Sequence, residues 1–170
     1  DDVANGYEGN DEINTGDGND TINGGKGDDI LKGGSGNDTY IYNLGDGFDK
    51  ITDSSGYDKI KLGTDISIDD ISFSREGNNL NIYIKNDRMQ GMQIANFFSQ
   101  AEYQIEVIEF ADGSTFNLIK GLALTGNDDD ENISGTAYND IISGKDGKDT
   151  LTGGDGHDQL IGGQGYDKLN

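Results

Sequence analysis

Residues 24–41 read GGKGDDILK and then GGSGNDTYI, two nine-residue phrases with the same spacing of glycine, aspartate and one apolar residue. Glycine stands at positions one, two and four, aspartate at six and an apolar residue at eight. Working outward, the frame starts at Gly6 and Thr15 before them, and at Leu44 and Asp53 after them, once Tyr42 and Asn43 are set aside as an insertion. It returns without insertion at Gly126, Gly135, Gly144, Gly153 and Gly162. Position eight holds Ile13, Ile22, Leu31, Tyr40, Ile51 and Ile60, then Ile133, Ile142, Leu151, Leu160 and Leu169.

The physical reading follows from those positions. Glycines permit positive φ, so the first six residues of each phrase form a tight turn. The last three form a strand, in which alternation sends position eight inward and its neighbours to water. Two phrases make one coil of a flattened right-handed solenoid, with parallel strands stacked about 4.8 Å apart. Residue i then lies over residue i+18, which puts Asp11 over Asp29 and Asp20 over Asp38. Such columns repel unless a cation lies between them. One buried aliphatic per phrase returns about 1.5–3 kcal/mol, well below the entropy of ordering its backbone.

Composition narrows the cation. The chain has 170 residues, 31% hydrophobic, with a net charge of -21. That surface repels nucleic acids and anionic membranes and draws cations or basic proteins. Cysteine is absent and His157 is the only histidine, which disfavours thiolate and imidazole metal sites. Oxygen ligands favour calcium. No apolar run approaches the length of a bilayer span, and residues 1–30 show no signal peptide. The chain opens and closes inside repeat phrases and reads as a fragment of a longer protein.

The phrase G-G-x-G-x-D-x-U-x, with U apolar, resembles the calcium-binding nonapeptide of the RTX (repeats-in-toxin) family. The resemblance implies several calcium ions, each between same-side turns of adjacent coils. Both position-six carboxylates hold the ion, with carbonyls two and four of the first turn and one and three of the next. Carried onto this chain, Tyr7, Gly9 and Asp11 face Gly24, Lys26 and Asp29, while Gly16, Gly18 and Asp20 face Gly33, Ser35 and Asp38. Gly25, Gly27 and Asp29 face Leu44, Asp46 and Asp49, and Gly34, Gly36 and Asp38 face Asp53, Ser55 and Asp58. In the later repeats Thr136, Tyr138 and Asp140 face Gly153, Asp155 and Asp158, and Lys145, Gly147 and Asp149 face Gly162, Gln164 and Asp167. The phrase GNDDDENIS has Glu131 at position six and no glycine at four, and reads as a cap. His157 faces solvent, and Tyr57 and Tyr166 pack on their turns.

Residues 62–123 lose the period. ISFSR at 71–75, NLNIYIK at 79–85 and YQIEVIEF at 103–110 alternate as strands, GNN at 77–79 and ADG at 111–113 signal turns, and 94–100 and 118–124 read as short helices. The order FSREGNNLNIYI, IANFF, YQIEVIEFADGSTF is similar to the domain that follows repeat blocks in RTX proteins of the adenylate cyclase toxin and haemolysin kind. An open strand ladder needs covering, so this segment is expected to cap the first block. The expected fold is an all-β parallel β-roll in two blocks, 1–61 and 124–170, around a β-rich capping domain, 62–123.

The resemblance further implies a secreted Gram-negative protein (toxin, adhesin or bacteriocin), exported unfolded by type I secretion machinery and folded outside by calcium. No H-E-x-x-H, no G-x-S-x-G and no cysteine nucleophile is present, so no catalytic role is expected; the alternative is a module of a secreted hydrolase. Asp69 with Asp70, and Glu106 with Glu109, read as strand-surface charges. Another alternative is recognition of a glycan or host-cell receptor through Phe97, Phe98 and Tyr103, residues read first as core.

Overall fold

Each phrase folds as a glycine turn followed by a short strand, in a computed structural model that describes residues 1–99 and 103–170. The first repeats form β1 (Val3–Asn5), β2 (Glu12–Asp17), β3 (Thr21–Asn23), β4 (Ile30–Ser35), β5 (Thr39–Tyr42), β6 (Phe48–Thr52) and β7 (Lys59–Leu62). Odd and even strands stack in separate parallel sheets, so neighbouring phrases lie on opposite sides of the roll. Glu12 pairs with Ile30 and Thr21 with Thr39, the expected register. Beyond the insertion Ile30 pairs with Lys50 and Thr39 with Lys59. The ladder survives because Tyr42 extends β5 to pair with Leu62, while Asn43 folds back, its N–H donating to Asp46 Oδ2 at 2.7 Å.

Between the sheets lie Ile22, Leu31, Tyr40, Ile51 and Ile60, all buried, and Ile133, Ile142 and Leu151 do the same in the later repeats. The core is one apolar residue wide per phrase. The chain is all-β, 50% strand and 2% helix, wound as a solenoid of about nine turns. Among the described residues no helix is long and apolar enough to cross a membrane.

The middle segment supplies β8 (Ile71–Glu76), β9 (Asn79–Ile84), β10 (Asp87–Ile94), β11 (Val107–Glu109) and β12 (Thr115–Asn117). It covers both open edges of the first repeats: β10 pairs parallel to β6, and β11 parallel to β7. It also joins them to the rest. The strands β8, β9 and β10 form an antiparallel meander, and β13 (Ala123–Thr125) pairs parallel to β8. One nine-stranded sheet therefore runs from β2 through the meander to β13, β15 (Ile141–Asp146) and β17 (Gln159–Gln164). Facing it in the later repeats is a sheet of β14 (Asn132–Ser134), β16 (Thr150–Thr152) and β18 (Lys168–Leu169).

The two expected helices do not form. Residues 94–99 are the end of β10 followed by turns, and Gln100 lies outside the described residues. Pairing of Ile94 with both Ile51 and Leu80 keeps that stretch in the sheet. Residues 118–124 form a turn at Gly121, φ +114°, and then β13. A 3-10 turn does form at Ile68–Asp70, where the Asp70 carboxylate accepts the Ser67 N–H at 2.8 Å. The strand expected over 103–110 is shorter, Val107–Glu109.

Phe97 is fully buried against Phe98, their ring centroids 5.1 Å apart and edge to face. Arg75 lies 4.1 Å over the Phe98 ring and its guanidinium donates to the carbonyls of Ser134, Gly135 and Gly77. These rings stand at the junction between the middle segment and the later repeats, where they line a cavity with Gln104, Tyr138 and Gly154.

Candidate metal centres

The stacked turns are built by a repeated hydrogen bond. From Asp20 onward the position-six aspartates use Oδ1 to accept the N–H of the residue one coil earlier at that position. The bonds run from Asp11 to Asp29 at 2.8 Å, Asp20 to Asp38 at 2.8 Å, Asp29 to Asp49 at 3.1 Å and Asp38 to Asp58 at 2.7 Å. The later repeats continue it, from Asp140 to Asp158 at 2.9 Å and Asp149 to Asp167 at 3.1 Å. Position five carries a second ladder of opposite sense: Asn10 Oδ1 accepts from Asp28, Asn19 from Asn37 and Asn139 from His157. That explains why Asn and Asp recur there.

The glycines make room for this. A Cβ on Gly24 would fall 2.2 Å from Asp29 Oδ2. Gly25 has φ +93°, and a Cβ there would fall 2.1 Å from the Tyr7 carbonyl. Tyr7 and Lys145 hold the same position with φ of 77° and 79°, a conformation that costs a non-glycine residue about 1 kcal/mol.

Having used Oδ1, the column leaves Oδ2 behind. The Oδ2 atoms of Asp11, Asp20, Asp29, Asp38, Asp58 and Asp149 are buried with no hydrogen-bond partner. A buried carboxylate oxygen without a partner costs several kcal/mol. Burial pushes the Asp38 carboxyl up to about 6, and Asp49 and Asp58 each up to about 7, against the N–H bonds that favour ionisation; neighbouring carboxylates add to the rise. Asp38, Asp53 and Asp58, all buried, each offer an oxygen within 4.8 Å of the others. Anionic oxygens lacking a donor, ringed by backbone carbonyls and by no nitrogen or sulfur ligand, fit a hard divalent cation.

The structure brings the sequence-expected turns together, with differences in detail. Tyr7 O accepts from Lys26 N at 2.7 Å and Lys26 O from Gly9 N at 2.8 Å, beside Asp11 and Asp29. Gly18 N donates to Ser35 O, and Gly16 pairs with Gly34 one residue past Gly33. The insertion does not separate the next pair, since Gly27 N still reaches Asp46 O at 2.8 Å; Leu44 is exposed. Gly36 N reaches Ser55 O at 2.9 Å, and Asp53 enters by its side chain instead of only its backbone. Gly147 N donates to Gln164 O at 3.0 Å, and a Cβ on Gly144 would meet the Gly162 carbonyl at 2.7 Å. The turn at 135–140 differs, because Thr136 donates its N–H to Asp140 Oδ2 at 2.6 Å and its hydroxyl to the same oxygen at 2.9 Å. Asp140 stands against Asp158, and Tyr138 lies near Gly156 and Asp155 with both oxygens of Asp140 already partnered. Glu131 turns back to its own Asn127 N–H at 3.0 Å, as a cap does.

Two expectations need correction. Tyr57 and Tyr166 are 57% and 89% exposed and do not pack on their turns, because position five points outward. Glu106 is a buried group, not a surface charge: Asp58 donates its N–H to Glu106 Oε2 at 2.7 Å, so Glu106 takes the position-six role one coil beyond the repeats. Its signal was present, since E-V-I-E at 106–109 repeats the acid, strand, apolar spacing of D-K-I-K at 58–61. Leu122 also stands at position six, donating its N–H to Asp140 Oδ1 at 2.6 Å. Glu109, by contrast, lies at the surface paired with Lys59 at 3.0 Å.

Residues 5–40, 125–160 and 134–169 match the RTX calcium-binding nonapeptide repeat, and residues 79–118 match the haemolysin-type calcium binding protein related domain. No curated protein matches. Among solved structures the chain is similar to the extracellular lipase LipA from Serratia marcescens, with 20% identity and a TM-score of 0.24. That match covers 91% of this chain and 29% of the lipase chain. With its nonapeptides, its stacked turns and the related domain between them, the chain belongs to the RTX family of calcium-binding repeat proteins.

Proposed function

We propose that this chain is a non-catalytic, calcium-responsive folding module of a secreted bacterial protein. The observation that carries the reading is the set of buried Oδ2 atoms at Asp11, Asp20, Asp29, Asp38, Asp58 and Asp149 that no protein donor reaches. A chain that buries so many carboxylates beside one apolar residue per phrase lacks a stable apo state, and ligand binding free energy becomes folding free energy. Bound calcium supplies the positive charge that these oxygens lack. Position-six aspartates and the turn carbonyls hold it, while the Oδ1 ladder sets their spacing. Extracellular calcium modules bind at roughly 10⁻⁴ to 10⁻³ M, so the module is unfolded in a cytosol and folded outside the cell. Absence of cysteine and an unfolded low-calcium state suit passage through a type I secretion system.

Far-UV circular dichroism tests this. In chelator the chain is expected to give a disordered spectrum, turning β-rich as calcium rises to about 10 mM. A spectrum already β-rich in chelator and unchanged by calcium would overturn the reading. Of the residues named for the recognition alternative, Phe97 is fully buried, Phe98 is half-buried beneath Arg75 and Tyr103 is half-buried.

A further inference from the structure

The turn at 53–58 departs from the repeat at position one, where Asp53 replaces glycine. Its side chain does not reach for water. Asp53 is 1% exposed, with Oδ1 accepting the N–H of Ser54 at 2.6 Å and of Ser55 at 3.3 Å. Oδ2 accepts the hydroxyl of Tyr40. Tyr40 is the second departure: the other position-eight residues are Ile or Leu, and its ring keeps the apolar place while its oxygen reaches the turns. That oxygen accepts the Gly33 N–H at 2.9 Å. The two departures meet.

Where they meet, oxygens converge. A Cβ on Gly33 would lie 2.2 Å from Asp38 Oδ2, 2.3 Å from the Tyr40 hydroxyl and 2.7 Å from Asp53 Oδ2. Asp38, Asp53 and Asp58 present oxygens within 4.8 Å of one another. Two of the three are aimed there with nothing to receive them, since Asp38 Oδ2 and Asp58 Oδ2 have no partner in residues 1% and 0% exposed. Other pairs of turns bring two position-six carboxylates together; this pair adds a third.

We propose that Asp53 is a side-chain ligand, and that the site between turns 33–38 and 53–58 is the tightest calcium site of the chain and the first to fill as calcium rises. The inference rests on the calcium-responsive reading above. Calcium affinity is graded by the number of charged ligands and the rigidity of the site. Both favour this one: three carboxylates share it, and Asp53 is already fixed by Tyr40, Ser54 and Ser55, so little ordering remains on binding. Filling here completes the β5 and β7 pairing on which β11 is laid. Folding then starts beside the middle segment and spreads outward.

Stepwise calcium affinities of the 170-residue chain, measured by competition with a chromophoric chelator, test this in the wild type, Asp53→Gly and Asp53→Asn. Asp53→Gly restores the repeat glycine, and Asp53→Asn keeps the shape without the charge, so at least one variant folds at saturating calcium. Both are expected to weaken the tightest step about tenfold or more and to leave the weaker steps within about twofold. A tightest step unchanged in the variants would overturn the inference and leave the calcium-responsive reading standing. A wild-type chain that takes up no calcium would overturn both.

Discussion

The earlier and later repeats share one nonapeptide and differ in what their carboxylates touch. In the earlier ones Oδ2 of Asp11, Asp20, Asp29, Asp38 and Asp58 is buried and unpartnered; in the later ones, among the described residues, this holds for Asp149 alone. Thr136 supplies two donors to Asp140, and Glu131 is long enough to fold back onto Asn127. At Asp140 the donors come from Thr136 at position two, and at Glu131 from the reach of the longer acid at position six. Calcium dependence should be concentrated in the earlier repeats.

The strongest way to break that contrast is to neutralise one carboxylate on each side. Asp38→Asn is expected to raise the calcium midpoint of folding about tenfold, and Asp140→Asn about twofold, followed by circular dichroism. Equal shifts would mean that Thr136 does not substitute for the ion. A second test uses protons in place of calcium. Asp38, Asp49 and Asp58 sit at about 6 to 7 in the metal-free fold against an ordinary 3.8. A folded pKa above the unfolded one contributes stability that is present below the unfolded value and is lost as pH rises through the folded one. In calcium-free buffer the chain should therefore gain β structure on going from about pH 8 to about pH 5, and hydrogen exchange should place the gain in the earlier repeats. No change over that range would remove the carboxylate column as the cause of the apo instability. The smallest expected effect is that of Thr136→Gly, which removes the hydroxyl donor to Asp140 and keeps the backbone N–H. It should cost the calcium-free later repeats about 1 kcal/mol and make their exchange protection more dependent on calcium.

How much of this was legible follows from where the period is strict. Glycine at two and four with aspartate at six fixes turn, strand and stacking register together, so the pairing of Asp11 with Asp29 could be read from spacing. The two-residue insertion was readable as a length, although not as the Tyr42 extension that absorbs it. Asp53 was readable only as a missing glycine, because nothing local says that its carboxylate turns inward to meet Tyr40 from 13 residues earlier. The strand Asp87–Ile94 was missed since its alternation breaks: the register shifts between Asp87 and Gly91. The turn before it is Lys85–Asn86, both with positive φ, a hairpin geometry whose usual glycine signal is absent. Residues 118–124 looked helical because a degenerate turn with Leu122 in place of aspartate no longer resembles its own repeat.

The meander of β8, β9 and β10 imposes a parity rule. Each antiparallel neighbour reverses strand direction, and three strands bring β8 back to the sense of β6 before β13 is added. The later coils consequently wind on with the same polarity as the earlier ones, on the same sheet. An even number would have turned them to face backward. Removing the β8 and β9 hairpin, or inserting another hairpin beside it, preserves that polarity, whereas gain or loss of one strand does not. Lengths of such an interruption are free to vary; only its oddness is fixed.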